Sequence, residues 1–411
     1  METNLFRIAQ HIDTLATFSD RTGKGVTRFS YSPEDRKAKR YLHELFEQLE
    51  LKVFTDAIGN IRARYEGQNP ALAPLWIGSH IDSVKNGGKF DGVVGVVGAI
   101  EVVCVLCEQG IRPRRSIEAI VFVEEDGSNF FTTMMGSKVM TGKYDIEALK
   151  KLRNIKGETC YDLAKTAGLS PDNLDNCRIR KGDIHAMMEL HIEQGMVLDH
   201  ESLSIGVVEA VMGMKTLRVT LEGVPNHAGT TPMHLRNDPL VCAAKLICNI
   251  QKMVHAYANP ETVATVGRIL CNPNMPNVIA GSVEFTVDIR DIQPEGIDII
   301  EAMIRNEAAA IGAREGVHIH IDLIASSPCV HFAPTLVNII EDVVKKKNAS
   351  YRRINSGAVH DAAMLAEVTD VGMIFIPSKD GKSHQPEEYT SFEQIKLGCD
   401  ILLAATVQLA N

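Results

Sequence analysis

The sequence places three consecutive carboxylates, Glu124, Glu125 and Asp126, at the end of the apolar run 117–123. Like charges this close repel unless something positive sits among them. Four other short stretches supply groups that could hold a cation there. They are 78–92 with His80, Asp82 and Asp91; 189–195 with His191, Glu193 and Gln194; 226–233 with Asn226 and His227; and 381–388 with His384. A mixed imidazole and carboxylate set suits zinc, manganese or a similar divalent ion. One carboxylate bridging two ions would explain a ligand set too long for a single tetrahedral site. Taken singly, each stretch is an ordinary loop histidine or a solvated acid pair, and only their combination points to a centre.

The elements around these residues must bring them together. A Ser-Pro start with acids in the first turn opens a helix near Ser32, and the stretch 52–67 reads as two strands joined by a Gly-Asn turn. The buried-strand candidate 74–82, the apolar helix 95–110 and the strand 117–123 follow. Continuous apolar strands alternating with helices predict a mainly parallel sheet covered on both faces. Ligand sites in such sheets lie at the carboxyl ends of the strands, where the His80 and Glu125 stretches both fall. Beyond 212 the pattern becomes β-α-β-β-α-β, a ferredoxin-like domain inserted into the first. The expected fold is thus α/β with two domains: a mixed, mainly parallel domain that carries the candidate site (1–212 and 329–411) and an inserted domain (213–328).

Composition excludes several alternatives. With 411 residues, 45% hydrophobic and 23% charged, the chain reads as a globular protein with room for two or three cores. A net charge of -9 without a basic run argues against nucleic acid as partner. No apolar stretch reaches membrane-span length, and the acidic, amphipathic start is no secretory signal, so a cytoplasmic location is expected. The nine cysteines lack framework spacing and read as reduced thiols, with Cys104 and Cys107 in a helix core rather than a metal or redox pair.

Taken together, the stretches at 78–92, 190–195, 227–233 and 381–388 resemble the dinuclear metallohydrolases that include aminoacylases and carboxypeptidases. More narrowly, the chain is similar to the hydantoinase/carbamoylase branch, which contains enzymes acting on allantoate and on N-carbamoyl amino acids. The resemblance runs from about 25 to 390. It implies that His80, Asp91 and His191 hold one metal and that Asp91, Asp126 and His384 hold the other, each zinc, manganese, nickel or cobalt. It implies Glu125 as the general base for the attacking water, His227 as the oxyanion stabiliser, and Asn277 and Arg290 as substrate binders. Asp82, close behind His80, is the expected orienter of an imidazole. Gln194 and His360 are further candidates for substrate contact.

The implied substrate is a small carboxylate-bearing ureido or carbamoyl compound, best allantoate, with N-carbamoyl-L-amino acids as the alternative; the implied assembly is a homodimer, with 1–212 and 329–411 as the catalytic domain and 213–328 as a lid and dimerisation domain. An aminoacylase, a dipeptidase or a non-catalytic relative are the remaining readings. For Arg290 a plain salt bridge to Asp288 or Asp291 competes with a guanidinium fork on the substrate carboxylate. Three positions depart from the branch: Asp126 where Glu is common, Asn129 where Arg is usual, and Val359 where Gly precedes His360. Glu124 is expected to point away from Glu125 along the strand and to be structural.

Overall fold

The structure, a computed structural model, describes residues 1–20, 23–257 and 259–411. The chain divides into two compact units, Met1–Glu209 with His331–Asn411, and Ala210–Val330.

The first unit is built on a nine-stranded sheet. Its centre runs Ile117–Phe122, Leu75–His80, Ala186–Ile192, Asp370–Ile376, and these neighbours are all parallel. Antiparallel neighbours, Ile61–Tyr65 on one side and Ile205–Val211 on the other, flank that centre. Leu75–His80, Ile117–Phe122 and Ala186–Ile192 are buried along their whole length, which explains their mainly apolar composition. The helix Val93–Glu108 is apolar on every side and buried from Val93 to Leu106, between the sheet and the C-terminal helix Phe392–Ala410. That last helix starts on a reciprocal capping box between Ser391 and Gln394. The Ser-Pro signal behaves as read, with Ser32 capping Pro33–Gln48 through the Asp35 N–H. In the turn before Ile61, Asp56 Oδ1 accepts the N–H groups of Ile58, Gly59 and Asn60.

The second unit is the β-α-β-β-α-β arrangement. Four antiparallel strands lie in the order His318–Ser327, Gly213–Glu222, Ser282–Asp291, Val263–Asn272, with helices Pro239–Ala256 and Pro294–Glu315 packed on them. Its core joins Leu217, Val219, Phe285 and Ile289 to Leu246, Ile300 and Ile304. A short ladder, Asn226–His227 with Val278–Ile279, extends beyond one end of the sheet.

All nine cysteines are free, and Cys104 is buried in its helix. No helix among the described residues is long and apolar enough to cross a membrane. One local expectation fails. The strand stops at Phe122, and Glu124 adopts a left-handed backbone with φ 55°, so strand alternation does not separate it from Glu125. The cause is local: Glu124 turns inward and its Oε1 accepts the N–H groups of Asn129 at 2.8 Å and Phe130 at 2.9 Å.

Candidate active site

The carboxyl edge of the parallel strands gathers the chemistry. His80 ends its strand, Glu125 and Asp126 follow the next, His191 lies one residue from the end of the third, and His384 comes after the fourth. Asp91 lies two residues before the start of the helix Val93–Glu108. Between them Gly92, at φ +64°, must be glycine, because a Cβ there would lie 2.4 Å from His80 Nε2.

Two clusters have ligand atoms within 4.8 Å of one another, His80–Asp91–His191 and Asp91–Asp126–His384, and they share Asp91. Asp91 Oδ1 is 3.1 Å from His191 Nε2 and 3.7 Å from His80 Nε2. Its Oδ2 is 3.1 Å from His384 Nε2, which in turn lies 3.4 Å from Asp126 Oδ1. His384 is the exposed member, with its side chain 47% accessible. Two further groups, His80–Asp82–Asp126 and Glu189–His191–His360, overlap the first two.

The polar atoms at this centre lack protein partners where a cation would sit. His80 Nε2, Asp91 Oδ1, Glu125 Oε1 and Asp126 Oδ2 are buried without a hydrogen bond. Both buried imidazoles turn Nδ1 to a main-chain carbonyl, His80 to Asp82 at 3.2 Å and His191 to Ile192 at 2.8 Å, so the Nε2 atoms face inward. A proton on His191 Nε2, which Asp91 favours against burial enough to raise the imidazole to about 9, would meet the Gly92 N–H that donates to the same nitrogen at 3.2 Å. The neutral ring, with Nδ1–H to Ile192 and a lone pair on Nε2, satisfies the backbone on both sides. His80 Nε2 and Asp91 Oδ1, by contrast, face each other at 3.7 Å with no partner, and a cation between them would satisfy both. Burial followed by the surrounding carboxylates pushes Glu125 and Asp126 well above the usual range. Against burial, His191 and His384 hold Asp91 well below it. The donor set therefore fits divalent cations in both chemistry and charge.

Asp82 does a different task from the one its position suggested. Its carboxylate is 3.7 Å from His80 Nδ1, too far to orient the ring, which its main-chain oxygen does instead. The carboxylate oxygens accept the N–H groups of Glu125 and Asp126 at 3.2 and 3.1 Å. Glu125 Oε2 lies 3.5 Å from His80 Nε2, beside both clusters. Gln194, at φ 57°, donates its amide to Asp91 Oδ2 at 2.8 Å. Asn129 donates to the Ser30 carbonyl, so its side chain turns to the surrounding scaffold.

His360 is buried, edge-on to His191 at 4.7 Å between ring centroids, with Nε2 2.9 Å from Ser356 Oγ. Val359 is not among the residues with positive φ, so the backbone there tolerates its side chain. In the second unit His227 and Asn277 come together: both are exposed, and the Ala228 N–H donates to the Asn277 carbonyl at 3.0 Å. Arg290 does not join them. It lies at the far end of Ser282–Asp291, and its guanidinium forks onto Asp288 at 2.7 and 3.4 Å. Asp291 instead binds Asn259 and Thr262.

Sequence reasoning missed three buried acids that serve this centre. Glu388 joins the Asp91 loop to the His384 loop. Glu189 accepts the Ser79 hydroxyl at 2.6 Å and the Ala362 N–H at 3.3 Å behind His191. Asp361 accepts the Ser137 hydroxyl. Acids inside apolar strands or beside motif residues are the signal that could have marked them.

Residues 76–408 match the profile of peptidase family M20/M25/M40. The chain is 39% identical to an N-carbamoyl-L-amino-acid amidohydrolase of Paenarthrobacter aurescens, over 97% of this chain and 96% of that one. It is 35% identical to a ureidoglycolate hydrolase of Oryza sativa subsp. japonica (98% and 84%) and 33% identical to the allantoate amidohydrolase of Escherichia coli K12 (98% and 97%). A hydantoinase/carbamoylase family amidase from Burkholderia multivorans superposes with a TM-score of 0.93 at 32% identity, covering 100% of this chain and 98% of that one.

Proposed function

The chain belongs to peptidase family M20/M25/M40 and is a hydrolase of linear C–N bonds; within that class we propose that it cleaves the ureido or carbamoyl amide of a small carboxylate-bearing substrate, using two divalent cations per chain. The observation that carries this reading is the pair of three-residue clusters sharing Asp91, with inward-facing nitrogen and oxygen atoms that no protein group satisfies. N-carbamoyl-L-amino acids are the first substrate choice, supported by 39% identity to a relative of that name against 33% for an allantoate enzyme. Allantoate is the second reading, favoured by the stretches 227–233 and 376–384.

His80, Asp91 and His191 would hold one cation and Asp91, Asp126 and His384 the other, of zinc, manganese, nickel or cobalt. Cations held there supply Lewis-acid polarisation of the scissile carbonyl and acidify the attacking water. Glu125 takes the proton of that water and returns it to the leaving nitrogen, a role suited to a buried carboxyl whose proton affinity is raised. Carbamate breakdown then releases carbon dioxide and ammonia. His227 and Asn277 bind the developing oxyanion and the substrate, and Arg290 exchanges Asp288 for the substrate carboxylate.

Ser282 and Arg290 lie at opposite ends of their strand, which at about 3.4 Å per residue is roughly 27 Å. The ladder of Asn226–His227 with Val278–Ile279 lies beyond the Ser282 end, where the Gly223 N–H donates to the Gly281 carbonyl. No small substrate spans that distance, which supports a homodimer in which the two ends serve different active sites.

A substrate panel tests the reading. After loading with zinc, manganese, cobalt or nickel, ammonia release is measured from N-carbamoyl-L-amino acids and allantoate, alongside amino acid release from N-acetyl amino acids and dipeptides. Cleavage of the acyl or peptidyl compounds alone would refute it.

A further inference from the structure

Glu388 belongs to neither ligand cluster, yet its carboxylate is the hub between them. It is 5% exposed, and Oε1 accepts the N–H groups of Phe90 at 3.0 Å and Asp91 at 3.1 Å. Oε2 accepts the His384 N–H at 3.4 Å. The Ser383 hydroxyl lies between Glu388 Oε2 at 2.9 Å and Asp91 Oδ2 at 3.0 Å, and donates to one of them at a time. Both of its oxygens are thus engaged by main-chain N–H groups. Glu388 fixes the main chain of the shared ligand to that of the most exposed one.

A second observation shows that the chain is shaped around this carboxylate. A Cβ on Gly88 would lie 2.0 Å from Glu388 Oε1 and 2.5 Å from its Cβ. The loop 87–91 therefore closes on Glu388 only because position 88 has no side chain. His384 needs such an anchor, because its left-handed backbone (φ 59°) and half-exposed imidazole leave it the least packed member of its cluster.

We propose that Glu388 is the positioning residue of the Asp91–Asp126–His384 subsite, setting the spacing between the shared carboxylate and the His384 imidazole and so the affinity of that subsite for a divalent cation. The inference rests on the metal-dependent reading above. Partners of this kind, once removed, typically lower metal affinity by about 10- to 100-fold.

The test is calorimetric titration of Mn²⁺ into chelator-treated full-length protein, paired with the visible spectrum of Co²⁺ bound in its place. Glu388→Gln keeps the Oε1 acceptor for Phe90 and Asp91 but loses the acceptor for Ser383 and His384. It is expected to weaken one cation equivalent by roughly tenfold or more, leave the other near wild type, and alter the Co²⁺ absorption of the weakened equivalent. Gly88→Ala, which displaces Glu388 without changing charge, is expected to reproduce that pattern, and Glu388→Asp to restore affinity in part. Variants that fold by circular dichroism and bind both equivalents with wild-type affinity and spectrum would overturn the inference. A wild-type chain that binds no cation would instead remove the metal reading beneath it.

Discussion

The carboxylate of Asp82 accepts the main-chain N–H of Asp126 at 3.1 Å, while its other oxygen takes that of Glu125 at 3.2 Å. The main chain of the proposed base and that of the proposed ligand are thus held by one buried acid. Removing it leaves two buried donors unsatisfied, at about 1–3 kcal/mol each. Asp82→Ala should lower the urea midpoint and kcat/KM together. Asp82→Asn, which keeps one acceptor, should fold but lose roughly 10-fold or more in kcat/KM; full activity in a folded Asp82→Asn protein would contradict the assignment.

Glu125→Gln separates base from ligand. The amide is nearly isosteric but cannot take a proton, so metal content should match wild type while kcat falls by about 10²- to 10⁴-fold. Metal analysis and steady-state kinetics on the same preparation check both halves.

Arg290 now pairs with Asp288, and substrate binding would exchange one carboxylate for another. Arg290→Ala should raise KM for carboxylate substrates by roughly 10- to 100-fold, the value of a charge-assisted contact, with a smaller effect on kcat. An unchanged KM would leave Arg290 in a structural pairing with Asp288.

Acid sensitivity should trace partly to His360. Burial first, then the neighbouring His191, holds its imidazole well below the ordinary 6.5. A depressed folded value means that the contribution to stability is present above about 6.5 and lost as pH falls below it toward the folded value. The urea midpoint of chelator-treated protein should therefore drop between pH 7 and pH 5. In His360→Gln that drop should be shallower, and identical slopes for the two proteins would rule the assignment out.

Much of this architecture was legible because strand, helix and site signals agree. The apolar stretches around 75–80 and 117–122 are buried parallel strands, and residues of metal-binding type fall just beyond their ends, where a parallel sheet leaves loops free to converge. Glu388 was hidden for the opposite reason. Its N–H donor Phe90 is 298 positions away in sequence, and no local pattern records a hydrogen bond closed only by folding. Asp82 was read as a partner of His80 because it follows so closely in sequence, but the strand ends at His80 and the Asp82 carboxylate binds the next loop instead. Glu124 failed similarly, since the hydrogen bonds that draw it into a left-handed turn come from Asn129 and Phe130.

Gln194 and His384 share one further property with Glu124: each holds a left-handed backbone, at φ 57°, 59° and 55°, without being glycine. Such a conformation costs about 1–2 kcal/mol per residue relative to the right-handed form. Glycine at 194 or 384 would relieve that strain and remove the amide or imidazole that meets Asp91. Variants selected only for thermal resistance should therefore drift toward glycine or asparagine at these positions and lose turnover as they do so, a stability–activity trade-off confined to the residues that meet Asp91.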